Sequence, residues 1–195
     1  MLKRVQRIIQ EHASGRVVLV LLCVFALCVI VLNFTNLPFG TSALVARSGG
    51  LSILDLRSSG YTPDEAYALF EALGAEGRRL YLCLLLAADI LLPLTGALFF
   101  AVCIAWLLRH IVAGHHPVQR LILLPAVTML ADFSENACTL VLLLVFPHRI
   151  DSLARAASFF TLLKSGAGML VVIVIVVCIS TLVYRWAIQW SSMRK

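Results

Sequence analysis

The sequence predicts an all-α integral membrane protein, a four-helix bundle with a short amphipathic helix in its first outer loop. The composition is 61% hydrophobic and only 13% charged, whereas soluble domains carry about 25% charged residues. The mean hydropathy of +0.97 indicates the same class. Four apolar runs, at about 17–34, 80–108, 121–146 and 159–186, each approach or exceed the roughly 20 residues that a spanning helix needs. We therefore expect the 195 residues to form a single transmembrane domain.

The first apolar run, residues 17–34, follows a basic segment and therefore has two interpretations. A basic start before an apolar stretch is also typical of a cleaved signal peptide. This stretch is slightly long for that role, and no clear small-residue cleavage motif follows it. We therefore interpret the run as a retained first helix that crosses the membrane with the other three.

The distribution of Lys and Arg predicts the orientation of the bundle. The segments 1–16, 109–120 and 185–195 lie on one side of the membrane in a four-helix arrangement and hold nine of these residues. The opposite segments, 36–79 and 147–158, hold six. Because basic residues are enriched on the cytoplasmic side, we expect both termini in the cytoplasm and the loop 36–79 outside.

A short amphipathic helix is predicted inside this outer loop. Thr62 suits the N-cap, Pro63 suits the first helical position, and Glu65 completes a capping box. The helix is expected to end at Gly74, because glycine commonly terminates helices. Two roles remain open for it: a plain connector on the membrane surface, or a lid over the mouth of the bundle.

Composition also excludes several classes of function. The six cysteines are scattered through the chain without a CxxC pair, which argues against a zinc site and against the thiol chemistry of four-helix quinone-linked oxidoreductases. The net charge of +6 comes mostly from basic residues that flank the apolar runs, and this placement favours lipid headgroups over nucleic acid as the partner. There is no glycine-rich phosphate loop. We expect no cofactor and no nucleic-acid partner.

Five polar residues interrupt the apolar runs: Asp89, Asp132, Glu135, Asn136 and Lys164. A charge at mid-bilayer costs roughly 2.5–3.5 kcal/mol on insertion scales, so such residues usually face protein or water. From the helical rise, the charged residues lie below the outer ends of their runs by roughly 13 Å for Asp89, 20 Å for Asp132, 16 Å for Glu135 and 8 Å for Lys164. We therefore expect these four to meet in the outer half of the bundle.

The helix faces agree with these depths, since residues three and four apart are neighbours on a helix. One polar stripe on the third predicted helix contains Thr128, Asp132, Glu135, Asn136 and Thr139. On the second helix, Asp89 shares its face with Pro93 and with small residues that are typical of helix contacts in membranes. We expect Asn136, Lys164, Thr128 and Thr139 to bind a ligand beside the three acids.

Three interpretations of the cluster remain open. It is a structural network in which Lys164 neutralises one carboxylate, or it carries out acid/base chemistry. Three carboxylates against one lysine favour the second, because burial and like charges make one carboxyl group a suitable general acid or base. The candidate catalytic residues are Asp89, Asp132 and Glu135. A metal site formed by these three is a third interpretation, but no ligand spacing favours it and we expect no metal.

Two stretches carry a resemblance to known proteins: residues 60–81, from Gly60-Tyr61-Thr62-Pro63 to Gly77-Arg78-Arg79-Leu80-Tyr81, and Asp132-Phe133-Ser134-Glu135-Asn136. With Asp89 and Pro93, they resemble a family of uncharacterised four-helix bacterial membrane proteins, which implies a bacterial inner-membrane location but no activity. In layout the chain is also similar to the EXPERA superfamily of sterol isomerases and sigma-2-type receptors. That similarity implies intramembrane carboxylates around a lipophilic pocket, although the isomerases' membrane histidine is missing here.

Three functions fit these observations. The first is a pocket that binds or acts on a lipophilic small molecule. The second is a proton-coupled carrier, which the apolar inner halves of the helices disfavour. The third is an accessory subunit whose partner is another membrane protein. We favour the first, with membrane lipid as the surrounding partner.

Overall fold

The computed structural model describes residues 2–34, 40–112 and 116–193, and these residues form helices and connections without a β-strand. The six α-helices are α1 Leu2–His12, α2 Gly15–Phe34, α3 Thr41–Arg47, α4 Pro63–Arg109, α5 Leu124–Val145 and α6 Asp151–Met193. Two 3-10 helices, Leu54–Leu56 and Pro117–Leu123, lie in the connections. The predicted all-α class is confirmed. Residues 36–39 of the predicted outer loop, and the basic Arg194 and Lys195, lie outside the described residues.

Three helical stretches are long and apolar enough to cross a membrane: Pro63–Arg109, Pro117–Val145 and Asp151–Met193. The described part of α2 reaches this length only together with α1, from which it is bent by 101°. The described chain therefore holds three candidate spans, or four if the bent pair counts as one. The predicted number of four corresponds to the upper value.

The helices run up and down between two ends of the molecule. At what we call the terminal end, the Arg109 side chain donates to the carbonyl of Ala13 (3.0 Å) and Arg185 donates to that of Ile111 (3.2 Å). At the opposite, loop end, the Tyr61 backbone N–H donates to Ser158 Oγ (2.9 Å). Helices α4, α5 and α6 pack against one another, and α2 packs mainly against α4.

The six α-helices differ from the predicted four spans and one short helix because α1 and α3 are additional, while the short helix and the second span form one element. Helix α1 is strongly polar and contains no apolar run, so it was not among the predicted helices. The predicted short helix is present, but it continues directly into the second apolar run as α4, with non-helical backbone only at Gly74 (φ 63°, ψ −177°). Its predicted capping box is present: Thr62 N–H donates to Glu65 Oε2 (2.6 Å), and Glu65 N–H donates to Thr62 Oγ1 (3.3 Å).

Helix ends also differ from the ends of the apolar runs. Helix α6 begins at Asp151 and ends at Met193, beyond the predicted 159–186 on both sides. Helix α5 begins only at Leu124, because residues 117–123 form a 3-10 helix. An apolar run predicts only the part of a helix that favours an apolar environment. The helix continues beyond it because polar residues form the same backbone hydrogen bonds.

The loop end contains its own hydrophobic core, which anchors the connection between α2 and α4. Leu44 of α3 and Leu54 of the 3-10 helix are fully buried against Phe70 and Tyr81 of α4 and Leu142 of α5. Burying an aliphatic side chain of this size contributes about 1.5–3 kcal/mol. The connection is therefore packed onto the helices, and it holds its polar residues in defined positions above them.

Candidate functional site

The candidate site is centred on the ammonium group of Lys164, which lies in α6 near the loop end. Its Nζ atom is 2.6 Å from Glu135 Oε2 and 2.8 Å from Asp132 Oδ1, both on α5. It is also 3.2 Å from Asp55 Oδ1. The four side chains are 16% exposed or less. One cation therefore holds three carboxylates away from bulk solvent.

Asp55 is the residue of this cluster that sequence reasoning missed. It lies in the 3-10 helix Leu54–Leu56, where the Tyr81 hydroxyl donates to Asp55 Oδ2 (3.3 Å) and accepts from the backbone N–H of Leu54 (3.2 Å). The sequence assigns Asp55 to an exterior loop. A signal was present, because Asp55 is flanked by Ile53, Leu54 and Leu56, and an acid inside an apolar stretch of a loop indicates burial with a partner.

Asp89 belongs to the same region but is held differently. Among the described residues it forms no ion pair, and its Oδ2 atom is buried without a hydrogen-bond partner. Pro93, four residues later, has no N–H to donate to the Asp89 carbonyl. That carbonyl instead accepts from Asn136 Nδ2 (3.4 Å), which also donates to Asp132 Oδ2 (3.4 Å). The proline therefore frees a backbone acceptor that links α4 to α5.

A cavity of about 240 Å³ with charged side chains among apolar ones, which we call the cleft, opens beside this cluster. It is lined by Thr41, Ile53, Asp55, Leu56, Asp89, Leu92, Pro93, Thr128, Met129, Asp132 and Lys164. Its walls thus come from the α2–α4 connection, α4, α5 and α6. Two of the three predicted acid/base residues, Asp89 and Asp132, face it.

An apolar cavity of about 310 Å³, which we call the apolar pocket, adjoins the cleft toward the terminal end. It is lined by Ala97, Phe100, Pro125, Thr128, Gly168, Val171 and Val172. Thr128 lines both cavities. The two cavities therefore lie end to end, with charged groups in one and almost purely apolar groups in the other.

A third cavity, of about 150 Å³, lies between α4 and α5. We call it the groove. It is lined by Leu85, Leu86, Asp89, Ile90, Phe133, Asn136, Ala137 and Leu140. Of the predicted ligand-binding residues, Asn136 lines this groove, whereas Lys164 and Thr128 line the cleft.

Glu135 and Thr139 lie deeper than expected for residues that contact a ligand. Glu135 is 0% exposed and Thr139 is 1% exposed, and neither lines the cleft. Glu135 lies within ion-pair distance of Lys164, which suits it to position that side chain. The buried Tyr61, in the loop, interacts electrostatically with this carboxylate. The pKa of the Tyr61 hydroxyl is raised above its usual range, first by burial and second by the negative charge of Glu135.

The carboxylates also meet the simplest geometric condition for a cation site. Oxygen atoms of Asp55, Asp132 and Glu135 lie within 4.8 Å of one another, and oxygen ligands of this kind suit hard cations. The Lys164 ammonium already lies within 3.2 Å of all three residues. The lysine therefore fills the position that a metal ion would take.

Comparison of the chain with known protein families, with curated proteins and with solved structures finds no match. The resemblance to uncharacterised four-helix bacterial proteins and the layout shared with the EXPERA superfamily therefore stay predictions.

Proposed function

We propose that this chain is an integral membrane protein that binds a lipophilic small molecule in the cleft and the apolar pocket. The observation that carries the proposal is their end-to-end arrangement, with Thr128 common to both linings. Ligand sites are typically apolar cavities with a few convergent polar groups. An amphiphilic molecule satisfies both cavities at once, because its polar group meets the charged residues and its apolar part fills the pocket.

The helix geometry supports a ligand of a particular length. Asp89 of the cleft and Ala97 of the apolar pocket are eight residues apart on α4, as are Lys164 and Val172 on α6. Eight residues of helix correspond to about 12 Å. The bound molecule is therefore elongated along the helices, with its polar end about 12 Å from the far side of the pocket.

Acid/base chemistry on this ligand is part of the proposal, and the carboxylates differ in how suitable they are. Asp132 faces the cleft but is ion-paired with Lys164. Asp89 faces the cleft and has a buried oxygen without a partner in the described part of the chain. A catalytic group must reach the atom whose proton it transfers. Asp89 is therefore the first candidate, Asp132 the second, and Glu135 acts only through Lys164.

The surface of the molecule supports a membrane location. The exposed faces of α2 and α6 carry large apolar side chains, among them Leu27 (61% exposed) and Val177 (57% exposed). Arg4, Arg7 and Arg16 are exposed at the terminal end. Because basic residues are enriched on the cytoplasmic side, we place both termini in the cytoplasm of a bacterial cell and the cleft toward the outer face of its inner membrane.

Two glycines of α6 allow a matched test. A side-chain carbon added at Gly168 meets Thr128 Cγ2 at 3.9 Å and extends into the apolar pocket, whereas one added at Gly166 meets no atom within 4 Å. Native mass spectrometry with lipid extraction compares wild type, Gly168→Leu, Gly166→Leu and Asp132→Asn. We expect a specific lipophile in wild type and Gly166→Leu that is lost from Gly168→Leu and Asp132→Asn. Retention of nothing by wild type, or of the same molecule by all four proteins, contradicts the proposal.

A further inference from the structure

The groove between α4 and α5 carries a second site. We propose that it binds the end of a lipophilic chain that bears a hydrogen-bond donor, a hydroxyl or an amine. This site is separate from the cleft, because the groove is walled by α4 and α5 alone and Asn136 is not among the cleft residues. The two sites share only Asp89, which lines both.

The orientation of the Asn136 amide defines the chemistry of this site. Its Nδ2 atom donates to two acceptors, the Asp89 carbonyl and Asp132 Oδ2. The reverse orientation would set an oxygen against these two oxygens, so the amide cannot flip. Its Oδ1 atom is therefore left as an acceptor, and it has no partner among the described residues although the residue is only 8% exposed.

Asp89, which lines both the cleft and the groove, carries a second buried oxygen, Oδ2, without a hydrogen-bond partner within the described ranges. The other residues that line the groove have apolar side chains. With apolar walls and the Asn136 Oδ1 acceptor fixed in orientation, the groove selects a ligand whose polar end donates, since buried polar groups are otherwise hydrogen-bonded.

The rim of the groove indicates where the ligand comes from. Leu86 and Ile90 line it and are 59% and 48% exposed on the apolar surface of α4. The volume of about 150 Å³ is that of a cavity that holds a benzene-sized group. The donor group and the first few carbons of a chain therefore fit inside, and the rest of the chain extends along the helices into the surrounding lipid.

Photoaffinity labelling of the purified full-length protein tests this site. The probes are diazirine-bearing analogues of dodecanol, dodecylamine and dodecane, and peptide mapping reports the labelling of residues 85–90 and 133–140. We expect about tenfold stronger labelling by a donor-bearing probe than by the alkane, the ratio that one hydrogen bond commonly supplies. The alcohol and the amine compared with each other identify the donor. Equal labelling by dodecane overturns the proposal.

Variants separate the groove from the cleft and from general effects on folding. Ala137→Leu fills the exposed rim of the groove, and Ala87→Leu makes the same change at an exposed position of α4 that does not line it. Labelling should fall about tenfold in the first and stay unchanged in the second. Undiminished labelling of Ala137→Leu refutes the site, whereas Gly168→Leu, which disrupts the apolar pocket, should leave it intact.

Discussion

Substitution of Lys164 by methionine tests whether the ion-paired cluster stabilises the fold. The change removes the single cation and leaves the carboxylates of Asp55, Asp132 and Glu135, whose oxygens lie within 4.8 Å of one another. Two unit charges at that distance repel by about 3.5 kcal/mol at an effective dielectric constant of 20. Removing one partner of a buried pair typically costs about 3–5 kcal/mol. We expect the free energy of unfolding of Lys164→Met to fall by about that amount.

A surface ion pair provides the matched control. Arg47 pairs with Glu76 at 3.3 Å, but the two side chains are 38% and 80% exposed. Exposed pairs of this kind contribute about 0–1 kcal/mol. Arg47→Met should therefore lose no more than about 1 kcal/mol. The assay is reversible unfolding in mixed detergent and SDS micelles, followed by circular dichroism.

A combined variant distinguishes lost attraction from uncompensated charge. In Lys164→Met with Asp55→Asn, Asp132→Asn and Glu135→Gln, no buried charge of this cluster remains, so most of the lost stability should return. The reasoning is refuted if Lys164→Met is no less stable than Arg47→Met. It is also refuted if the combined variant is less stable than Lys164→Met alone.

Two further substitutions test how the loop end is held. Tyr81→Phe leaves the buried backbone N–H of Leu54 without its acceptor, so the free energy of unfolding should fall by about 1–3 kcal/mol. Limited proteolysis should then cut the 48–62 connection faster than in wild type. Unchanged cleavage would count against this anchoring. Gly60→Ala places a carbon 3.0 Å from Ser158 Oγ at φ +81°, whereas Gly49→Ala has φ +71° and no atom within 4 Å. Both should lose about 1–2 kcal/mol to backbone strain, with the larger loss of thermal stability at Gly60, and equal losses would show that the contact is unimportant.

Much of the candidate site could be predicted because helices convert sequence spacing into position. The depths calculated from the helical rise placed Asp132, Glu135 and Lys164 in the same half of the bundle, and the structure brings them into contact. The stripe Asp89, Pro93 and Ala97 likewise follows the wall of the cleft and the apolar pocket. In a helix every fourth residue returns to the same face, so no tertiary information was needed.

The remaining features depend on contacts that spacing does not encode. Asp55 enters the cluster only because the α2–α4 connection folds back onto Tyr81, and the path of a loop has no periodicity to reveal it. The separation of Asn136 from the cleft could not be predicted from the sequence either. A stripe of residues on one helix face does not show which neighbouring helix each residue contacts. The direction of the Asn136 amide depends on the carbonyl freed by Pro93, which requires knowing that α4 and α5 are adjacent.

The three partners of Lys164 come from two separate parts of the chain, and this has a consequence for how the cluster is assembled from local and distant contacts. Helices α5 and α6 are consecutive, so Asp132 and Glu135 can neutralise Lys164 within one hairpin. Asp55 joins only when the α2–α4 connection docks. Two of the three contacts of Lys164 are therefore contained within one hairpin, and the third depends on the folding of the separate α2–α4 connection.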